Sequence, residues 1–233
     1  MRVLVTRPSH DAEDTAALLA ERGHDAIIAP LLDIRFRPGS EIALDGVQAV
    51  LVTSANSIRA LARRTRRRDV KIMAVGAQSA ATARALGFSN VAHADGDAAA
   101  LADLTAAQLT PDGGALVHAA GAETRGRLAE ALQSRGFEVR SEVLYEALAA
   151  TALPGPAQQA ILGGNIDAAL FFSPRTARLF AEIVTREGLG ERCRALLALC
   201  ISQAAADELR GLVFREVRVA AHPDQDSLLA LAM

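Results

Sequence analysis

Four short stretches place hydroxyl, amide or guanidinium side chains directly after an apolar run: Thr6-Arg7-Pro8, Thr53-Ser54-Ala55-Asn56, Gly76-Ala77-Gln78-Ser79 and Ser173-Pro174-Arg175-Thr176. Each joins the carboxyl end of a strand-like segment to a helix-like one. Free N–H groups and the helix dipole favour anions at such a junction. The same residue types are also ordinary N-caps, each worth about 1 kcal/mol. A serine there is a third thing as well, a candidate nucleophile. Four such turns in one chain, two of them carrying an arginine (Arg7 and Arg175), favour a polyanion site.

Other chemistries lack their parts. The histidines at 10, 24, 93, 118 and 222 are scattered, and no G-x-S-x-G elbow accompanies any serine. His118, inside the apolar run ALVHA, reads as packed or orienting. No HxH or HExxH pair exists, so no metal is expected. Neither GxGxxG nor GxxxxGK(S/T) occurs, which leaves nucleotide binding without its usual glycine loop. Lys71, the only lysine, opens the strand-like KIMAVG, so Schiff-base chemistry and a phosphate loop are both disfavoured. Tyr145, the only tyrosine, lies in an alternating segment. Half-buried packing is its plain reading; a phenol that donates hydrogen bonds is the functional one.

Composition sets outer bounds. The chain has 233 residues, 51% of them apolar, which is enough for one large or two small cores. Net charge is −2 and aromatic content 3% with no tryptophan, which argues against nucleic acid. The longest apolar run, Ala195 to Ile201, falls far short of the roughly 20 residues that span a bilayer. MRVLVTRP reads as a strand rather than a signal peptide. Two cysteines, Cys193 and Cys200, form neither a disulfide framework nor a metal knuckle, so a reduced, cytoplasmic protein is expected.

The elements that must position these turns alternate as in an α/β fold with parallel sheets. Strands are predicted at 3–6, 26–30, 49–53, 71–75, 115–119, 138–148, 168–172, 195–201 and 215–220. Helices are predicted at 11–22, 55–67, 77–86, from near 98, and at 123–135, 174–186 and 203–210. RRTRRR (63–68) is read as the solvated end of the second helix, and Asp95-Gly96-Asp97 as an acidic turn. Stretches 35–42 and 145–158 are read as links.

The two halves also align on each other. LVTRPSHDAEDTAALLAERGHDA lies on LVHAAGAETRGRLAEALQSRGFEV, with Gly23 on Gly136. VLVTSANSIRALA lies on ALFFSPRTARLFA, with Ser54 on Ser173, and AVGAQSAATARALG on LCISQAAADELRG, with Gly76 on Ser202. This is a degenerate internal duplication: two similar α/β lobes, with a ligand cleft expected between them. The chain crosses between lobes twice if residues 1–34 pack with the C-terminal half.

The order VLVTRP, VTSANSIRAL, AVGAQSAATARALG, an isolated Tyr145 and FFSPRTARLF resembles the uroporphyrinogen-III synthase family, from Val3 nearly to the C-terminus. The resemblance implies two α/β lobes joined by a two-stranded linker: a discontinuous lobe of 1–35 plus 152–233, and a second of 36–151. It further implies a cytoplasmic, cofactor-free enzyme that cyclises hydroxymethylbilane, a linear tetrapyrrole with eight carboxylates, to uroporphyrinogen III. The alternative is a non-catalytic ligand-binding or regulatory protein of the same fold. The expected partner is the small tetrapyrrole polycarboxylate, with no nucleic acid and no membrane. The chain is expected to be a monomer with at most transient contact with the preceding pathway enzyme.

By position, the resemblance makes Tyr145 the residue assisting loss of hydroxyl. It makes Arg7, Thr53, Ser54, Asn56, Ser79, Ser173, Arg175 and Ser202 substrate-binding. Where the family often carries Gly-x-x-Thr-Ala, this chain has Ser202-Gln203-Ala204-Ala205-Ala206, without the threonine hydroxyl.

Overall fold

The computed structural model describes residues 1–94, 96–123 and 127–232. The chain runs β1 (Arg2–Val5), α1 (Ser9–Glu21), β2 (Asp25–Ile28), β3 (Leu32–Phe36), β4 (Val47–Val52), α2 (Ala55–Arg64) and β5 (Ile72–Ala74). Then come α3 (Ala77–Ala85), β6 (Val91–His93), α4 (Ala98–Gln108), β7 (Ala115–Gly121), α5 (Leu128–Gln133) and β8 (Val139–Ala149). It ends with α6 (Gly155–Leu162), β9 (Ala168–Phe171), α7 (Pro174–Arg186), β10 (Leu197–Cys200), α8 (Gln203–Asp207), β11 (Glu216–Val219) and α9 (Gln225–Ala230).

The chain divides into two compact units, Met1–Asp33 with Leu148–Met233, and Ile34–Ala147. The divisions fall inside β3 and β8, the two segments in which the chain passes from one unit to the other. The resemblance had placed these divisions after residues 35 and 151.

In the first unit the strand order is β11-β10-β9-β1-β2, and in the second β3-β8-β7-β4-β5-β6. The two orders correspond: β1 and β2 match β7 and β8, while β9, β10 and β11 match β4, β5 and β6. All these pairings are parallel. Two bonds, from Ala150 N to Leu31 O and from Arg37 N to Leu144 O, run β3 antiparallel to β8.

Each sheet is covered on both faces, which is why its strands read as continuous apolar runs. Along β9, Ala168 and Leu170 face one core, with Leu19 of α1 and Leu228 of α9; Ala169 and Phe171 face another, with Phe180 of α7. Along β4, Val50 and Val52 face Ile58 and Leu61 of α2, while Ala49 and Leu51 face Leu101 of α4 and Leu132 of α5.

Several expectations are corrected. The helix after β4 stops at Arg64, and Thr65 is extended at φ −152° and ψ 148°. Of RRTRRR, therefore, only Arg63 and Arg64 occupy the helix end. Arg68 instead donates to the carbonyls of Leu86, Thr65 and Ala62, and Arg64 to that of Ser40. The run fastens a non-helical segment to nearby carbonyls, a task suited to a guanidinium with five donors.

The helix predicted from 123 begins at Leu128, and residues 124–126 of that expectation, like Asp95 of the acidic turn, lie outside the described residues. The links overlap only the end of β3 and the start of α6, and β3, α6, β6 and α9 are absent from the expected elements. These are too short or too small-residue-rich to show a period.

Gly114 adopts φ +115°, and a Cβ there would lie 2.5 Å from the Gly46 carbonyl oxygen. Gly164 has φ +66° with open space around it. Urea unfolding should show Gly114→Ala destabilised by about 2–3 kcal/mol and Gly164→Ala by about 1 kcal/mol. Equal losses would remove the Gly46 contact from this account.

Candidate functional site

In each sheet the chain leaves in opposite directions from a central pair of strands, β4 and β7 in one unit, β1 and β9 in the other. The carboxyl ends of such a pair are where open α/β sheets bind ligands.

At the end of β4, Ser54 is extended (φ −159°, ψ 162°) and its Oγ accepts from Ser57 N at 3.1 Å, capping α2. Ser57 Oγ lies 3.1 Å from the same oxygen, and the Tyr145 phenol oxygen 3.0 Å from it. Tyr145 reaches this point because β8 pairs with β7 through an irregularity between Ala120 and Gly121, after which Gly121 stands opposite Tyr145. A Cβ on Gly121 would lie 2.8 Å from Tyr145 Cζ, so only glycine leaves room for the ring. Tyr145 and Ser54, 91 residues apart in sequence, are thus in direct contact. Thr53 and Asn56 flank them half-buried, with Asn56 Oδ1 accepting from Arg59 at 3.1 Å.

The matching turn of the other unit repeats the cap. Ser173 has φ −161° and ψ 154°, accepts from Thr176 N at 3.1 Å, and lies 3.0 Å from Thr176 Oγ1. Here, however, Thr176 Oγ1 donates to the Ser173 carbonyl at 3.0 Å. Arg175, half-buried, occupies the second residue of α7. Ser202 caps α8 by accepting from Ala205 N at 3.3 Å, so its hydroxyl does what the glycine at the equivalent Gly76 cannot. Ser79 is buried in the first turn of α3.

Arg7 corrects the polyanion expectation. It is 6% exposed, its guanidinium lies 4.1 Å over the Phe172 ring, and it donates to Thr15 and Gln225. Asp11 stands 3.8 Å away and balances its charge. Arg7 is a packed residue of the first unit, not an open anion anchor. Thr6, beside it, caps nothing; it donates to Leu170 O at 2.7 Å and ties β1 to β9.

His118 is buried at 3% exposure on β7, and burial pushes its pKa down, so the ring is neutral near pH 7. It lines a cavity of about 300 Å³ with Ser141, Arg127 and Glu130. Burial also raises Cys193 to about 11 and Cys200 to about 12, which makes both thiols poor nucleophiles. Among the described residues no group of three or more His, Cys, Asp or Glu side chains could hold a metal. No described helix is long and apolar enough to cross a membrane.

Two contributors escaped the sequence reading. Ser57 was detectable from the repeated spacing Ser54-x-x-Ser57 and Ser173-x-x-Thr176, a hydroxyl one turn inside each cap. Gly121 was not, because its role depends on the register of β8.

A two-unit, doubly wound α/β architecture with a phenol held at the carboxyl end of one sheet defines a class, and comparisons supply the family. The model of the uroporphyrinogen-III synthase HemD family matches residues 13–230, and the chain belongs to that family. Among solved structures it resembles a mutant uroporphyrinogen III synthase from the extremely thermophilic bacterium Thermus thermophilus at 20% identity and TM-score 0.59, covering 100% of this chain and 96% of that one. It also resembles the Helicobacter pylori uroporphyrinogen-III synthetase at 17% identity and TM-score 0.64, covering 100% and 98%. At these identities the structures speak for the fold. No curated protein matches the chain.

The neutral burial of His118 gives stability a pH dependence. The unfolded chain takes up a proton at the ordinary histidine pKa of about 6.5, whereas the native protein takes it up only at lower pH. The contribution is therefore complete above that pH and is lost as pH falls, by up to about 1.4 kcal/mol per unit. Between pH 7 and 5 the thermal midpoint of the wild type should drop more than that of His118→Leu. Parallel profiles would show that His118 takes no part.

Proposed function

We propose that this protein cyclises hydroxymethylbilane to uroporphyrinogen III, inverting ring D and releasing water, as a cofactor-independent cytoplasmic hydro-lyase. Family membership over residues 13–230 frames the reading. The observation that carries it is the Tyr145 phenol, fixed 3.0 Å from Ser54 Oγ at the carboxyl end of β4.

The chemistry asks little of acids and bases. The pyrrole nitrogen lone pair expels the hydroxyl, and Tyr145 passes its proton to the departing oxygen, which leaves as water. The resulting phenolate is reprotonated by the N–H of the cationic ring it helped to form, so the tyrosine is regenerated. The harder task is steering, because a free bilane also closes without inversion. Holding the chain so that ring D is attacked at its substituted carbon is a matter of positioning.

Carboxylates of the substrate are suited to the first turns of α2, α3 and α7. None of these turns contains an acidic residue, and α7 carries Arg175 there. In this reading Thr53, Asn56 and Ser79 of the second unit, and Ser173, Arg175 and Ser202 of the first, are suited to carboxylates, while Ser54 holds Tyr145. Arg7, already neutralised, is left out.

The test supplies freshly made hydroxymethylbilane and separates isomers I and III. Isomer III is expected in excess, and isomer I alone at the uncatalysed rate would end the enzymatic reading. Tyr145→Phe should lower kcat by about 10²-fold, the lower range of general acid catalysis, with the fold intact by circular dichroism. Unchanged turnover would take Tyr145 out of the mechanism.

A further inference from the structure

The hydroxyls around Ser54 have a determinate direction. Ser57 is fully buried, and among the described residues its Oγ has one hydrogen-bond partner, Ser54 Oγ at 3.1 Å. If Ser54 donated to Ser57, the Ser57 hydrogen would be orphaned in the interior, an outcome folded proteins avoid. Ser57 therefore donates to Ser54. Ser54 Oγ already accepts from Ser57 N at 3.1 Å. A hydroxyl has two lone pairs and one hydrogen. With both lone pairs filled, Ser54 has only its hydrogen left for the third neighbour, the Tyr145 oxygen at 3.0 Å. The phenol oxygen accepts, and its own hydrogen is left pointing away from the serines.

The other unit is an internal control. There Thr176 gives its hydrogen to the Ser173 carbonyl, so Ser173 donates to Thr176 Oγ1 and the direction is reversed. That unit has no phenol, since Tyr145 is the only tyrosine. Capping needs only the bond from the backbone N–H, which both turns make. The outward direction of the α2 relay is an addition to capping.

We propose that Ser57 is a positioning residue which, through Ser54, turns the Tyr145 phenol into an outward hydrogen-bond donor aimed at the leaving hydroxyl. This rests on the reading of Tyr145 given above. Chained hydrogen bonds polarise one another, so the phenol hydrogen becomes a better donor as the relay is completed.

Tyr145 being the only tyrosine, with no tryptophan, the tyrosine doublet in the Raman spectrum of the full chain reads this phenol alone. Its intensity ratio is high when the phenol oxygen accepts a hydrogen bond and low when the phenol acts mainly as a donor. The wild type should show the acceptor signature. Ser57→Ala keeps the backbone cap but frees a lone pair on Ser54, so the ratio should fall; Ser57→Thr should restore it. In the isomer assay Ser57→Ala should lower kcat about tenfold with KM unchanged, and Ser57→Thr should recover most of it. A donor signature in the wild type, or a ratio and kcat that Ser57→Ala leaves unchanged, overturns the proposal. So does a Ser57→Thr protein that folds but matches Ser57→Ala. Should the wild type form no isomer III, the catalytic reading fails, while the Raman comparison still decides the hydrogen-bond direction.

Discussion

A helix leaves its first amides without intrahelical partners, and where a parallel strand feeds straight into it the strand's last residue can supply one. This constraint governs both units. Ser54, Ser173 and Ser202 each adopt an extended conformation and offer a side-chain oxygen to an amide one turn on. Since all the strands between these junctions run parallel, their polar ends gather along one edge of each sheet. The place where the fold solves its capping problem is the place where it can present chemistry.

Capping and function are separated by what else reaches the capping oxygen. At Ser173 a threonine closes the local circuit on its own backbone. At Ser54 a strand from far along the chain brings in a phenol, and it can do so only because β8 slips past Ala120 and Gly121 has no side chain. One methyl group at position 121 would push the ring off its partner. The contact therefore depends on a register and an absent atom, neither of which has a one-dimensional signature.

That explains what the residues told in advance. Helix α7 was legible to its ends because Ser173-Pro174 is a start signal and its apolar stripe is regular. The duplication was legible because it repeats types in order; the strand order was not, because pairing between distant strands leaves no mark along the chain. Short elements such as β6 and α9 were not, since three or six residues cannot display a period. The basic run misled because arginine suits a helix end as well as an irregular segment, and only the extended conformation of Thr65 decides between them.

Arg7 and Arg175 show the same limit at the site. Both are arginines just beyond a strand of the first unit, and composition cannot tell them apart. Position relative to the next helix can. Arg7 precedes α1, whose second turn supplies Thr15 and whose first supplies Asp11, so its charge is answered inside the protein. Arg175 lies within the first turn of α7, where the dipole opposes a cation and the turn itself contains no acidic residue. Only the start of the next helix, one residue before Arg175 and two after Arg7, separates their surroundings.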